Sequence, residues 1–231
     1  MWQDFKMMVE NALKGVLSVC PEGMTMIWLG FYIAAAGLAL ALILAFIGLG
    51  GWNVMDVFIF GLLFAGFSAY FFRDPERYHT FAPDEIVCPA DGRVMTIGTE
   101  GDPNVLVIRI FLSVFDVHIQ RSTLDATVGE ITYNKGKFEV AYKPEAVNNE
   151  RNLIRLTNGD RFAHVEQITG AIARRISCWV KPGQTVKAGD KIGLIYFGSQ
   201  VAIYLPKDKV RVLARVGQKV EGAQTVIGLW K

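Results

Sequence analysis

Gly189-Asp190-Lys191-Ile192-Gly193-Leu194-Ile195-Tyr196-Phe197-Gly198-Ser199-Gln200-Val201 sets a Gly-Ser pair between two apolar runs that read as β-strands, close to the C-terminus. Gly198 has no side chain, so its carbonyl is open to attack by the next hydroxyl, and its backbone tolerates strained conformations. A serine that follows a glycine in a rigid β-context is what backbone self-cleavage requires. By itself a Gly-Ser pair is a turn signal, so the argument rests on its surroundings.

Those surroundings are β-rich. Val105–Leu112 is a strong strand, and Val117–Gln120, Thr127–Tyr133, Asn152–Leu156, Ala163–Ile168 and Gln200–Leu205 follow as short strands between turn residues. Ala171–Arg175 reads as a short helix. A weak internal repeat closes the chain: Val180-Lys181-Pro182-Gly183-Gln184-Thr185-Val186-Lys187-Ala188-Gly189 is echoed by Ala214-Arg215-Val216-Gly217-Gln218-Lys219-Val220-Glu221-Gly222-Ala223. Each copy is a Gly-Gln turn, a valine and a small-residue turn, a unit that resembles the hairpins of lipoyl- and biotinyl-type β-sandwiches. Two copies are too few for a solenoid. The expected fold is mainly β, a compact β-sandwich or hybrid barrel.

Composition adds a second part. The chain has 231 residues, 52% of them hydrophobic, and a net charge of +2. That is too apolar for an ordinary soluble domain and too charged for a multi-span transporter. The excess is confined to two uncharged or nearly uncharged runs, Met26–Gly48 and Val54–Phe72, joined by a Leu49-Gly50-Gly51-Trp52-Asn53 turn. Each is long enough to cross a bilayer, with Asp56 near the turn end. Lys6 and Lys14 precede the hairpin and Arg73 and Arg77 follow it, so the positive-inside rule puts both ends on the cytoplasmic side. A re-entrant or interfacial hairpin is the competing reading. The expected division is an amphipathic lead over 1–23, stopped by Pro21 and Gly23, a transmembrane or membrane-embedded α-hairpin over 24–72, and a β-domain over 73–231.

From Ala171 to Lys231 there are 11 Lys/Arg against 3 Asp/Glu, a basic third suited to anionic head groups. No stacking aromatics interleave with these cations in a recognisable motif, so no nucleic-acid partner is expected. Cys20, Cys88 and Cys178 form no Cys-x-x-Cys pair, and His79, His118 and His164 are scattered, so neither disulfides nor a metal centre is expected.

Five segments together resemble the short-chain branch of the phosphatidylserine decarboxylase family. They are Phe71-Phe72-Arg73-Asp74-Pro75-Glu76-Arg77, Cys88-Pro89-Ala90-Asp91-Gly92-Arg93-Val94, Phe111-Leu112-Ser113-Val114-Phe115-Asp116-Val117-His118-Ile119-Gln120-Arg121, the polar stretch from Gly136-Lys137-Phe138 to Asn148-Asn149-Glu150-Arg151-Asn152, and Gly198-Ser199. The resemblance implies cleavage between Gly198 and Ser199 and conversion of Ser199 to a covalent pyruvoyl cofactor. His118 is then the base and Asp91 the residue that orients it, the logic of a hydrolase triad applied to the chain itself. Lys137, Phe138, Asn149 and Arg151 belong to a loop near the substrate, where Lys and Arg suit a lipid phosphate or a serine carboxylate. The implied reaction decarboxylates phosphatidylserine to phosphatidylethanolamine through a Schiff base on the pyruvoyl ketone. The implied partners are phosphatidylserine in the cell membrane, met from the cytoplasmic side, and the chain's own fragments 1–198 and 199–231 as a heterodimer, alone or in a higher oligomer. Two rival readings are a related decarboxylase of another serine-headed lipid such as archaetidylserine, and a non-catalytic membrane-anchored β-sandwich adaptor. The adaptor reading predicts an intact chain.

Overall fold

A computed structural model describes residues 18–77, 79–139, 146, 148–171 and 175–231. The amphipathic lead expected over 1–23 lies largely outside these residues, as does most of the helix expected at Ala171–Arg175. The chain divides into two compact units, Met1–Glu76 and Arg77–Lys231.

The first unit is built on two apolar helices, α1 (Pro21–Phe46) and α2 (Met55–Phe71). Pro21 stands in the first turn of α1, where its missing N–H costs nothing and its fixed φ suits the helix. The helices pack through small residues. A Cβ on Gly30 would lie 2.7 Å from the Ala65 nitrogen, on Gly37 2.7 Å from the Phe58 nitrogen, and on Gly61 2.4 Å from the Ala34 nitrogen. Gly30, Ala34, Gly37 and Ala41 of α1 are buried, while Leu42, Ile43, Phe60 and Leu63 are exposed. A water-soluble hairpin buries its large side chains and exposes its polar ones. Here small residues line much of the helix contact and many large apolar side chains face outward, an arrangement also used by helices that pack in lipid. By length and composition α1 is long enough to span a bilayer, and α2, at 17 residues, is shorter.

The second unit is mainly β. Its strands are β1 (Glu85–Val87), β2 (Gly92–Thr99), β3 (Val105–Leu112), β4 (Ile119–Arg121), β5 (Ala126–Asn134), β6 (Arg151–Asn158), β7 (Arg161–Phe162), β8 (His164–Ile168), β9 (Ile176–Cys178), β10 (Thr185–Val186), β11 (Lys191–Ile195), β12 (Ser199–Pro206), β13 (Val210–Val212), β14 (Lys219–Val220) and β15 (Val226–Trp230). Nine form one antiparallel sheet along the path β10-β5-β6-β8-β12-β3-β2-β14, with β7 beside β6. Two three-stranded sheets, β4-β11-β9 and β1-β15-β13, complete it.

The internal repeat explains how the large sheet ends. Gly183 and Gly217 take left-handed φ of 85° and 83°. The Gln184 and Gln218 side chains accept from the amides of Lys181 and Arg215 at 3.2 and 3.0 Å. One copy then supplies β10, which pairs with β5, and the other supplies β14, which pairs with β2. The two copies therefore occupy opposite edges of the nine-stranded path. A Cβ on Gly189, in the first copy, would sit 3.3 Å from Ala223 Cβ, in the second, so the sheet curls until its edges approach. The concave face holds the core, including Ile108, Ile110, Ile154, Val165, Val201, Ile203 and Leu205.

His164, on β8, gives this unit an acid-sensitive point. Its ring stacks on Phe162 at 4.7 Å, and its Nδ1 accepts the Leu156 amide at 3.3 Å. Burial, with the Arg155 charge nearby, pushes its pKa down from 6.5 to about 4. The folded state thus refuses a proton that the unfolded chain accepts below about pH 6.5, so stability is lost as pH falls from there toward 4. Thermal unfolding of His164→Gln should lose less over that interval than wild type, by on the order of 5 °C. Equal acid losses in the two proteins would contradict this account.

Candidate active site

Ser199 is the first residue of β12, which lies between β3 and β8 in the middle of the sheet. It pairs with Leu112, while Gln200 pairs with Phe111 on one side and Ile168 on the other. Strand alternation puts Ser199 on the same face as Val201, Ile203 and Leu205, the core face. Ser199 is fully buried, and its Oγ has no hydrogen-bond partner among the described residues. An unpaired buried hydroxyl costs about 1–3 kcal/mol. Just upstream, Phe197 and Gly198 carry φ of 46° and 71°. Two successive left-handed residues turn the chain from β11 into β12, and at Phe197 the Cβ makes that conformation cost about 1–2 kcal/mol.

His118 is fully buried and immediately precedes β4. It is carried by a tight turn in which the Asp116 amide donates to the Ser113 carbonyl and the Ser113 amide to Asp116 Oδ2, each at 2.9 Å. Its Nδ1 lies 2.9 Å from the Asp116 carbonyl oxygen, and the Gly198 amide reaches its Nε2 at 3.1 Å. A carbonyl only accepts and an amide N–H only donates. The pair therefore assigns the tautomer: Nδ1 carries the hydrogen and Nε2 holds a lone pair directed at the Gly198-Ser199 segment.

The backbone of His118 is held from below by a chain of buried amides. Asn152 Nδ2 donates to Gln167 Oε1 at 2.9 Å, Gln167 Nε2 to Gln120 Oε1 at 2.8 Å, and Gln120 Nε2 to the His118 carbonyl at 2.7 Å. The three side chains are between 0% and 2% exposed. The chain starts on β6, passes through β8 to β4, and so ties the nine-stranded sheet to the β4-β11-β9 sheet directly beneath the histidine. Gly193 on β11 makes room for it, since a Cβ there would lie 2.6 Å from Gln167 Nε2. Sequence reading passed over this device, although a glutamine or asparagine at inward positions of otherwise apolar strands is its visible signal.

Asp91 is placed differently from the expectation. Arg77 grips both carboxylate oxygens at 2.6 and 2.7 Å, and the Gly222 amide donates to Oδ1 at 2.8 Å. The position on His118 Nδ1 expected for Asp91 is taken by the Asp116 carbonyl. Asp91 instead fastens the start of the second unit, the Pro89-Ala90-Asp91-Gly92 turn and the second Gly-Gln hairpin to one another. Gly92 completes that turn because a Cβ there would fall 2.1 Å from the Phe111 carbonyl oxygen.

The loop residues lie toward the end of the sheet where Ser199 begins, with varied roles. Lys137 is exposed, and its segment bridges to Asn149. Phe138 is half-buried. Asn149 is 2% exposed and works as a clamp, bonded through its amide group to the Glu139 backbone at 2.7 and 2.8 Å and to the Thr169 carbonyl at 2.8 Å. Thr169 follows Ile168, the partner of Gln200, so the loop is fixed to the end of the sheet where Ser199 begins. Arg151 bonds the carbonyls of Asn149 and Ala146 and faces Glu166 at 3.6 Å. Its guanidinium is thus engaged within the protein.

Comparison with known proteins gives the class. Residues 64–228 match the family model described as phosphatidylserine decarboxylase. A phosphatidylserine decarboxylase proenzyme of Carboxydothermus hydrogenoformans is 45% identical over 170 residues, covering 70% of this chain and 79% of that protein. One from Desulfotalea psychrophila is 39% identical over 180 residues, covering 74% and 82%, and one from Neisseria gonorrhoeae 38% over 204 residues, covering 86% and 76%. The chain belongs to the phosphatidylserine decarboxylase family.

The amide chain makes a prediction. Gln167→Leu, close in volume but unable to donate or accept, should slow any reaction that depends on His118 by about tenfold or more, while Gln167→Asn should lose less. A Gln167→Leu protein with wild-type rates would show that the amides serve packing alone.

Proposed function

We propose that the chain is a proenzyme that breaks its own backbone between Gly198 and Ser199 and thereafter decarboxylates phosphatidylserine to phosphatidylethanolamine and CO2. The observation that carries this reading is His118 Nε2, which accepts the Gly198 amide at 3.1 Å, one residue before a buried Ser199 Oγ that has no partner among the described residues. The names of the relatives support it, since each is called a proenzyme.

In the proposed processing, Nε2 exchanges the Gly198 N–H for the Ser199 hydroxyl and takes its proton. Oγ attacks the Gly198 carbonyl carbon, the peptide C–N bond breaks, and the acyl group moves from nitrogen to oxygen as an ester. Removal of the Ser199 Cα proton then breaks the Cβ–Oγ bond and releases Gly198 as a carboxylate. The dehydroalanine left at 199 tautomerises and is hydrolysed, losing ammonia and leaving a pyruvoyl group. The left-handed Phe197 favours this course because its strain is released when the chain parts.

The residues at the site fit that group. The Ser199 side-chain oxygen has no hydrogen-bond partner among the described residues, and the strand behind it is paired on both sides. When present, a pyruvoyl group supplies an electron sink for loss of CO2 from an amine-bearing substrate. His118 remains beside it to hold or return a proton. Lys137, exposed at the same end of the sheet, suits the lipid phosphate. Asn149 shapes the loop, and Arg151 is read as supporting it through Glu166. Phe138 is read as contributing apolar surface to the loop.

The two fragments would stay together without the peptide link. The smaller carries β12–β15, and these pair with β3, β8, β2 and β1 of the larger. The small-residue packing of α1 and α2, the basic residues at both ends of that hairpin and its uncharged turn support anchoring in the cell membrane with the β-unit on the cytoplasmic side.

His118→Ala should slow processing by at least about a hundredfold, the usual scale for loss of a general base. Ser199→Ala should stay a single chain and release no CO2 from carboxyl-labelled phosphatidylserine. Normal cleavage of His118→Ala, followed by gel and mass, would remove His118 from the base role.

A further inference from the structure

A lipid-modifying site must meet a surface that it does not itself build, and the turn that carries His118 presents a large apolar side chain to solvent. Phe115 is 64% exposed, at the tip of the Ser113–Val117 turn. The turn is closed by its own hydrogen bonds. The Ser113 and Asp116 backbones close it as described, and the Phe115 amide donates to Ser113 Oγ at 3.3 Å. The amides of Ser113, Phe115 and Asp116 are thus satisfied inside the turn, which lowers the cost of bringing it into a poorly hydrated layer.

The same turn touches the chemistry. The Asp116 carbonyl sets the His118 tautomer, and the Val114 side chain lies 3.8 Å from where a Cβ on Gly198 would be. Phe197, before the scissile glycine, and Phe138, on the neighbouring loop, are both half-buried. Exposed cations accompany these rings. Lys135 and Lys137 lie on the loop fixed to the Ser199 end of the sheet. Arg175 is exposed, with its guanidinium 5.5 Å from the Tyr196 ring. An exposed ring and exposed cations on segments tied to the same end of the sheet match the interfacial layer of an anionic bilayer, where rings enter the acyl boundary and cations meet phosphates and carboxylates.

We propose that the Phe115 turn is a membrane-docking tip, which inserts into the anionic lipid surface holding the substrate and seats the mouth of the His118–Ser199 site on it. This rests on the reading of the substrate as a bilayer lipid. It adds to the helical anchor a contact made by the β-unit itself. The anchor keeps the protein at the membrane, and the tip sets which way the site faces.

The test uses the full chain reconstituted in phosphatidylcholine vesicles, comparing wild type with Phe115→Ser and Phe115→Trp. Self-cleavage is internal to the chain and should proceed normally in both variants. Turnover of long-chain phosphatidylserine mixed into the bilayer should fall about tenfold in Phe115→Ser, the scale expected from losing one buried phenylalanine. Turnover of a short-chain, monomeric phosphatidylserine supplied from solution should stay within about twofold of wild type. Phe115→Trp should add fluorescence quenchable by brominated phosphatidylcholine beyond that of wild type. Equal losses on both substrates, no added quenching, or a changed oligomeric state in Phe115→Ser would overturn the tip, the last by showing that a second copy of the chain covers Phe115. Failure of the decarboxylase reading looks different: wild type would then process neither itself nor either substrate.

Discussion

One hydrogen bond organises the second unit, the donation from the Gly198 amide to Nε2 of His118 at 3.1 Å. It exists only if the imidazole is neutral with its proton on Nδ1, and the Asp116 carbonyl enforces that form at 2.9 Å. The ring can sit in the core only because its backbone is pinned by the Ile195 amide at 3.2 Å and the Gln120 side chain at 2.7 Å. Everything further out preserves this contact. The amide chain through Gln167 and Asn152 locks two sheets together under it, and the curled sheet supplies the dry interior that makes buried polar links directional.

The segment joining β11 to β12 is the local opposite of that order. It combines an unpaired hydroxyl at Ser199 with a left-handed non-glycine residue at Phe197, two features that each oppose folding. They persist because the strand that follows is fixed on both sides, from Gln200 to Tyr204, by β3 and β8. A strained turn next to the most constrained strand in the sheet cannot relax by moving the strand. Breaking the bond between them would release it, which is the course proposed above, and the relatives from Carboxydothermus hydrogenoformans and Desulfotalea psychrophila are named as proenzymes.

Much of this was legible in the residues. The paired Gly-Gln turns announced two equivalent hairpins, and the structure puts them on opposite edges of one sheet with nearly equal φ at Gly183 and Gly217. The strands around Ser199 and His118 were readable because their apolar alternation is strong. Other features were not, for physical reasons. Asp91 carries a family resemblance but no record of its partner, and Arg77 and Gly222, both distant in sequence, claim it here. Gln120, Gln167 and Asn152 meet across three strands, a relation that no local pattern encodes. The Nδ1 partner of His118 is a backbone carbonyl, which every residue possesses and no sequence distinguishes.

The central claim is that this geometry ends in a broken chain. Intact-mass analysis of freshly purified wild-type protein, before and after hydroxylamine, tests it most directly. The account predicts two polypeptides, residues 1–198 and a 199–231 fragment that lacks its amino terminus and gains the mass of an oxime. A single unmodified polypeptide, inert to the reagent, would contradict it.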